Sequence, residues 1–272
     1  MNPLMNYNTP IDRYPAHGLW VKREDLCVGR PFPAFSKCRG VIAHLQNRPE
    51  KNIGVLDTYH SQAGQAVAAA CAELGKTCFN FYPVRKAEEG TPLKPQQQAA
   101  ADLGAQMVRM RAGRSAILYH QARRHMSEIN DSYMMPNALK LPETVKETAE
   151  EVWCMAEFLS KHPNLPILIA VSSATIGAGV LEGLHQIQRM NPVIFHMGYS
   201  RSHEQLLKYV HGLTEAKNQI TLVDEGYSYG DRSTLNLLPE WPCNIYYDLK
   251  AFHWWKLEGQ QKYGEALMWN IG

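Results

Sequence analysis

Apolar positions along the chain alternate between two patterns, short runs rich in β-branched and aromatic residues and longer stretches at helical spacing. Residues 18–22 (GLWVK) form the first extended run, and residues 36–45 follow at helical spacing with Ser36 as N-cap. Residues 52–59 (NIGVLDTY) are strand-like and lead through a Ser/Gln/Gly turn into an alanine-rich helix over 63–74, which Gly75 ends. Residues 77–82 give the next strand, so 53–82 has the size of one β-α-β crossover. The alternation then repeats. A helix over 96–103 closes at Gly104, a strand covers 106–110, and helices cover 115–128 and 143–161. Residues 165–171 (LPILIAV) are almost continuously apolar, the pattern of a strand buried on both faces. A helix over 175–189, a strand over 193–199, strand-and-loop segments at 220–223, 226–230 and 244–247, and a helix over 250–263 complete the chain. This order predicts an α/β protein with parallel strands, and the proline-marked stretches 83–95 and 136–142 are its hinge or boundary candidates.

The 272 residues are 45% hydrophobic and 20% charged, which excludes collagen, a coiled coil and wholesale disorder. A net charge of +2 demands no acidic partner. No window approaches the ~18 uninterrupted apolar residues of a membrane span, and the polar start carries no basic-then-apolar leader pattern. The six cysteines are dispersed without a CxxC pair, so reduced thiols in a cytoplasm-like compartment and no metal site are expected.

Three strand-to-helix turns are rich in hydroxyls: Ser36-Lys37, residues 58–64 and residues 172–179. In an open parallel sheet, ligands sit beyond the carboxyl ends of strands, where helix N-termini offer free N–H groups. The turn VSSATIGAG offers Ser172, Ser173 and Thr175 beside small residues, a combination suited to a phosphate; tight helix-strand packing with ordinary caps is the alternative. Neither GxxxxGK[ST] nor GxGxxG is present, so nucleotide P-loop and Rossmann sites have no support.

The order of these pieces matters more than any one of them. LWVKREDL, then FSKCRGVIAHL, SQAGQAVAAACAELG, VSSATIGAGVLEGL, EGYSYG and YDLKAF resemble the fold type II pyridoxal-phosphate enzymes, the tryptophan-synthase β-like group. The branch most similar is that of 1-aminocyclopropane-1-carboxylate deaminase and D-cysteine desulfhydrase. The resemblance implies two open twisted α/β domains with the cofactor between them: residues 1–50 and 146–272 as the larger, cofactor-binding domain and 51–145 as a smaller inserted one. It implies pyridoxal 5′-phosphate as cofactor and an amino-acid-like substrate. It also implies lyase or deaminase-type chemistry at Cα through an aldimine and a carbanion, and a homodimer as the family's habit.

Carried over by position, Lys37 matches the lysine that bonds the cofactor. Ser172, Ser173, Ala174 and Thr175 take the place of the phosphate loop, with Ser173 and Ala174 where glycines are usual. Asp248 matches an acidic residue facing the pyridine nitrogen, and Tyr227 and Tyr247 match aromatics near the substrate, which the resemblance implies as catalytic residues, one or the other assisting proton transfer. Ser61, Gln62 and Gly64 match the substrate-binding segment, with Ala63 in place of its histidine. Helix capping accounts equally for Ser61 and Asp248, and a core position for Tyr247. The usual hydroxylic-Gly-Gly turn is replaced by Asn270-Ile271-Gly272, which shifts ring-nitrogen recognition onto Asp248.

Local charge adds one feature. Residues 105–127 carry Arg109, Arg111, Arg114, Arg123, Arg124, His120 and His125 and no acid. Such a stretch suits a nucleic-acid backbone, or else a solvated face paired with acids elsewhere. Some phage enzymes resembling this fold remodel amino-acid groups on thymine in DNA, which makes a DNA-linked adduct one alternative substrate. A catalytically silent binding subunit is the other alternative.

Overall fold

The most apolar run of the sequence becomes the middle of a sheet: every residue of Ile167–Val171 is buried. The structure, a computed structural model, describes residues 2–58, 60–88 and 90–272, with the backbone alone at Glu88. Its strands are β1 (Ile11–Tyr14), β2 (Leu19–Arg23), β3 (Asn52–Leu56), β4 (Thr77–Val84), β5 (Gln106–Arg111), β6 (Ser132–Met134), β7 (Ile167–Val171), β8 (Val193–Met197), β9 (Ile220–Val223) and β10 (Ala266–Asn270). Its helices are α1 (Cys38–Gln46), α2 (Ala63–Glu73), α3 (Pro95–Asp102), α4 (Ser115–Ser127), α5 (Pro142–Cys154), α6 (Ala156–Lys161), α7 (Thr175–Gln186), α8 (His203–His211) and α9 (Asp248–Trp254). A π turn, Trp255–Gly259, and a last helical turn, Gln260–Tyr263, continue α9.

Two compact units divide these elements. The larger holds Met1–Gly29, Ala34–Gly40 and Pro142–Gly272, and the smaller holds Arg30–Pro33 and Val41–Leu141. The sequence placed these borders at 50/51 and 145/146; the contacts instead part α1 after Gly40.

In the larger unit six strands run in the order β1-β2-β10-β7-β8-β9, all parallel except β1. One face packs α5 and α7 against β7 and β8 through Val152, Leu181, Leu184 and Phe195. The other packs α9 through Phe252, Trp254 and Trp255. Close approach of α5 and α7 depends on missing side chains. A Cβ on Gly183 would lie 2.5 Å from the Val152 Cβ and 2.9 Å from the Ala149 carbonyl oxygen. Gly183→Ala gains about 1 kcal/mol of helix propensity, but forcing the helices apart costs roughly 1–3 kcal/mol. A lower melting temperature by thermal denaturation is therefore expected, and an unchanged or higher one contradicts this packing.

In the smaller unit four parallel strands are ordered β5-β4-β3-β6. Phe81, Leu118, Ala122 and Met126 form its core under α4, and the buried alanines of α2 cover the sheet. Strand β4 runs two residues past its expected end, through Pro83. Beyond Phe81 it pairs with β5 alone, so the missing proline N–H is tolerated there.

Other differences have local causes. The helix expected over 143–161 breaks at Met155, whose φ of −100° and ψ of 16° part α5 from α6. Ser36 does not cap α1; its hydroxyl is buried without a partner. The strand expected over 52–59 ends at Leu56, and its last residue, Tyr59, lies outside the described residues. Segments 226–230 and 244–247 are irregular, and β1, β6, α8 and β10 were unexpected. Strand β10 is the largest of these omissions, because its five residues join β2 to β7.

Candidate functional site

In the larger unit, β7 delivers Ser172 and Ser173 to a turn that closes through Ala174 in the left-handed region, φ 63°. Glycine would adopt this conformation more readily, and alanine is small enough to keep the turn tight. The helix that follows, α7, has no side-chain cap, so its first N–H groups are not taken by a neighbouring hydroxyl. The hydroxyls form a chain instead. Lys37 Nζ donates to Ser173 Oγ at 2.9 Å, Ser173 Oγ lies 3.0 Å from Thr175 Oγ1, and that atom lies 3.1 Å from the Tyr209 hydroxyl. Ser172 hydrogen-bonds the hydroxyl of Tyr247, whose own acidity burial suppresses strongly. The Tyr247 hydroxyl also donates to Tyr229 at 3.5 Å. The ring of Tyr247 rests where a side chain on Gly198 would be, 2.8 Å from the position of an added Cβ.

Asp248 follows at the start of α9, fully buried. Its Oδ1 accepts the Ile271 N–H at 3.1 Å, while its Oδ2 is buried with no partner. Burial raises its pKa to about 7, against the Ile271 N–H that favours the carboxylate and with the Asp25 charge that disfavours it. The structure thus brings Lys37, Ser172, Ser173, Ala174, Thr175 and Tyr247 to one turn, with Asp248 adjacent in sequence to Tyr247.

Tyr227 belongs to a second cluster. Its ring lies under Lys250 Nζ at 4.4 Å and its hydroxyl hydrogen-bonds Ser233, which in turn bonds His253 Nδ1. Lys250 is buried, which lowers its pKa, and donates to the Gly198 carbonyl at 2.6 Å. The tyrosine beside Tyr247 is therefore Tyr229, which the sequence reading passed over, as it did Tyr209.

In the smaller unit, Ser61 Oγ accepts the Ala63 N–H at 3.0 Å at the head of α2, and the Gln62 Oε1 is buried without a partner. Gly64 leaves room for two polar groups: an added Cβ would sit 2.4 Å from Asn80 Nδ2 and 2.5 Å from Asp57 Oδ2. Asp57 is a further residue the sequence reading missed. It is fully buried, accepts the Thr58 N–H at 2.7 Å, and has a pKa raised by burial to about 7.

The arginine stretch lies on β5, an edge strand, on α4 and on the turn between them. Arg109, Arg111, Arg114, His120, Arg123, Arg124 and His125 are all exposed. Arg111, Arg114, Arg123 and Arg124 make no ion pair among the described residues. The six cysteines are free thiols, and no group of three metal-ligating side chains occurs among the described residues. No helix among them is long and apolar enough to cross a membrane.

A family model described as pyridoxal-phosphate dependent enzyme matches residues 3–205. A protein of Pseudomonas phage M6, described as a glycyl-dTMP PLP-dependent decarboxylase, is 46% identical over 282 residues, covering 97% of this chain and 98% of its own. Among solved structures, an ACC deaminase homologue superimposes with a TM-score of 0.78 at 17% identity, covering 99% of this chain and 90% of that one. The processed threonine deaminase isoform 2 of Solanum lycopersicum gives 0.68 at 16% identity, over 99% and 85%.

Proposed function

Because this chain belongs to the pyridoxal-phosphate-dependent enzymes, with the type II fold, we propose that it decarboxylates a glycyl group borne on thymine in DNA. It is an enzyme, and its cofactor is pyridoxal 5′-phosphate. Identity of 46% along nearly the whole of both chains carries the choice of reaction.

The residues present fit that cofactor. An amine and two hydroxyls meet at an uncapped helix N-terminus, the chemistry a phosphate ester beside an aldehyde requires. The unpartnered Asp248 Oδ2 is a buried acceptor suited to a protonated ring nitrogen. When bound, the cofactor supplies a ring that accepts the electron pair left by a bond broken at Cα.

The chain's own groups do the rest. Lys37 Nζ would hold the cofactor, with Ser172, Ser173, Thr175 and the first N–H groups of α7 on its phosphate. Asp248 would keep the ring nitrogen protonated, and Ser61, Gln62 and the backbone at Gly64 would orient the substrate. In the reaction the Cα–carboxylate bond breaks, carbon dioxide leaves, and a proton takes its place at Cα. The Tyr247 hydroxyl would supply that proton: burial keeps it protonated, and its hydrogen bonds to Ser172 and Tyr229 hold it in place.

Arg111, Arg114, Arg123 and Arg124, exposed and without an ion pair among the described residues, favour a polymeric substrate over a free nucleotide. Mass spectrometry of glycyl-thymine DNA incubated with the cofactor-loaded enzyme should show loss of one carbon dioxide per modified base. Arg111→Ala, Arg114→Ala and Arg123→Ala combined should weaken DNA binding and lower the magnitude of the log–log salt slope by about one per phosphate contact removed. No carbon dioxide loss contradicts the reaction, and an unchanged slope contradicts the arginine surface.

A further inference from the structure

Where β2 runs out, Lys22-Arg23-Glu24-Asp25 send alternate side chains to two different places. Lys22 and Glu24 join Arg39 and Glu151 in a buried square of two cations and two carboxylates. Glu24 grips Arg39 as a fork, Nε to Oε2 at 2.8 Å and Nη2 to Oε1 at 2.9 Å. Arg39 lies two residues after Lys37, in the first turn of α1.

Arg23 and Asp25 turn the other way. Arg23 pairs with Asp25 at 2.9 and 2.7 Å, and Asp25 Oδ1 accepts from Asn270 Nδ2 at 2.9 Å. A second Asn270 Nδ2 hydrogen reaches the Pro242 carbonyl at 2.9 Å, so that amide is held from two sides. The next residue, Ile271, serves both halves of the site. Its N–H donates to Asp248, and its carbonyl accepts the N–H of Ser36, the neighbour of Lys37, at 2.9 Å.

We propose that Glu24 and Asp25 are positioning residues that set the Lys37 amine and the Asp248 carboxyl in one frame, Glu24 through Arg39 and Asp25 through Asn270 and Ile271. Its catalytic meaning rests on the reading of Lys37 and Asp248 as the cofactor's partners. Stability alone does not explain the arrangement, because well-packed apolar residues commonly replace a neutral buried ion cluster without loss. What the four charges add is direction: a fork and two hydrogen-bonded carboxylates permit few rotamers at either end.

Two variants test it. Asp25 and the Cys243 thiol are the titratable groups that face Asp248 among the described residues. Asp25→Asn removes a negative charge, which favours the ionised form of Asp248, so its midpoint moves down. Carbon-13 NMR of the carboxyls in cofactor-free protein reads this, with Asp248→Asn identifying the signal. Arg39→Lys keeps the charge but loses the fork. It should slow borohydride trapping of the pyridoxyl group on Lys37 about ten- to a hundredfold, with the Asp248 midpoint unchanged. Wild-type trapping in Arg39→Lys together with a wild-type midpoint in Asp25→Asn overturns the proposal. Failure of wild-type protein to trap cofactor at Lys37 overturns the cofactor assignment instead, and leaves the Asp248 titration readable.

Discussion

Replacing Lys37 with alanine lowers turnover by about a thousandfold or more, with little change in melting temperature. The reason is geometric. Lys37 Nζ is the amine that meets the hydroxyl chain at the head of α7, 2.9 Å from Ser173 Oγ. Lys250, the buried lysine of α9, is no substitute, because its Nζ is committed to the Gly198 carbonyl above the ring of Tyr227. Lys37→Arg should be equally inactive: a guanidinium keeps the charge and can still reach Ser173, but it offers no neutral amine. Steady-state release of carbon dioxide reads the loss, and thermal denaturation checks the fold. Turnover within tenfold of the wild type in either variant contradicts the assignment.

The second large effect is on stability. Glu151→Gln should destabilise the protein by about 3–5 kcal/mol, read as a lower urea midpoint. Glu151 is fully buried and accepts from the Asn8 N–H at 2.9 Å, the Thr9 N–H at 2.7 Å, the Thr9 hydroxyl and Arg39 Nη2 at 3.1 Å, and Lys22 Nζ. Neutralising it leaves two cations facing one carboxylate at positions buried from solvent. The exposed pair Glu157–Lys161, 2.6 Å apart on α6, is the internal control. Solvent screens it, so Glu157→Gln should leave the urea midpoint unchanged. Equal effects of the two substitutions contradict the contrast between buried and exposed charge.

Much of the larger unit was legible because the turn proposed to hold the cofactor follows its most hydrophobic strand. A run as apolar as Ile167–Val171 is a buried parallel strand, and the hydroxyls after it fall at a helix N-terminus. Lys37 and Asp248 came from the order of motifs rather than from periodicity. Which tyrosine of GYSYG turns toward Tyr247 was not legible. Tyr227 and Tyr229 are two residues apart in a segment without secondary structure, where strand alternation assigns no face. Asp57 was missed for the opposite reason: it ends a regular strand pattern, and only the approach of Gly64 and Asn80 makes it a buried polar centre. Strand β10 is five residues with no turn signal beyond the preceding Gly264, too short to stand out from an apolar loop. The break at Met155 leaves no mark either, since helical spacing continues across it.

One measurement tests the central claim directly. The cofactor-loaded protein is reduced with borohydride, digested and mapped by peptide mass. A pyridoxyl group on the peptide containing Lys37, and on no other lysine, is the expected result. Label on a different lysine, or none at all after saturation with pyridoxal 5′-phosphate, contradicts it.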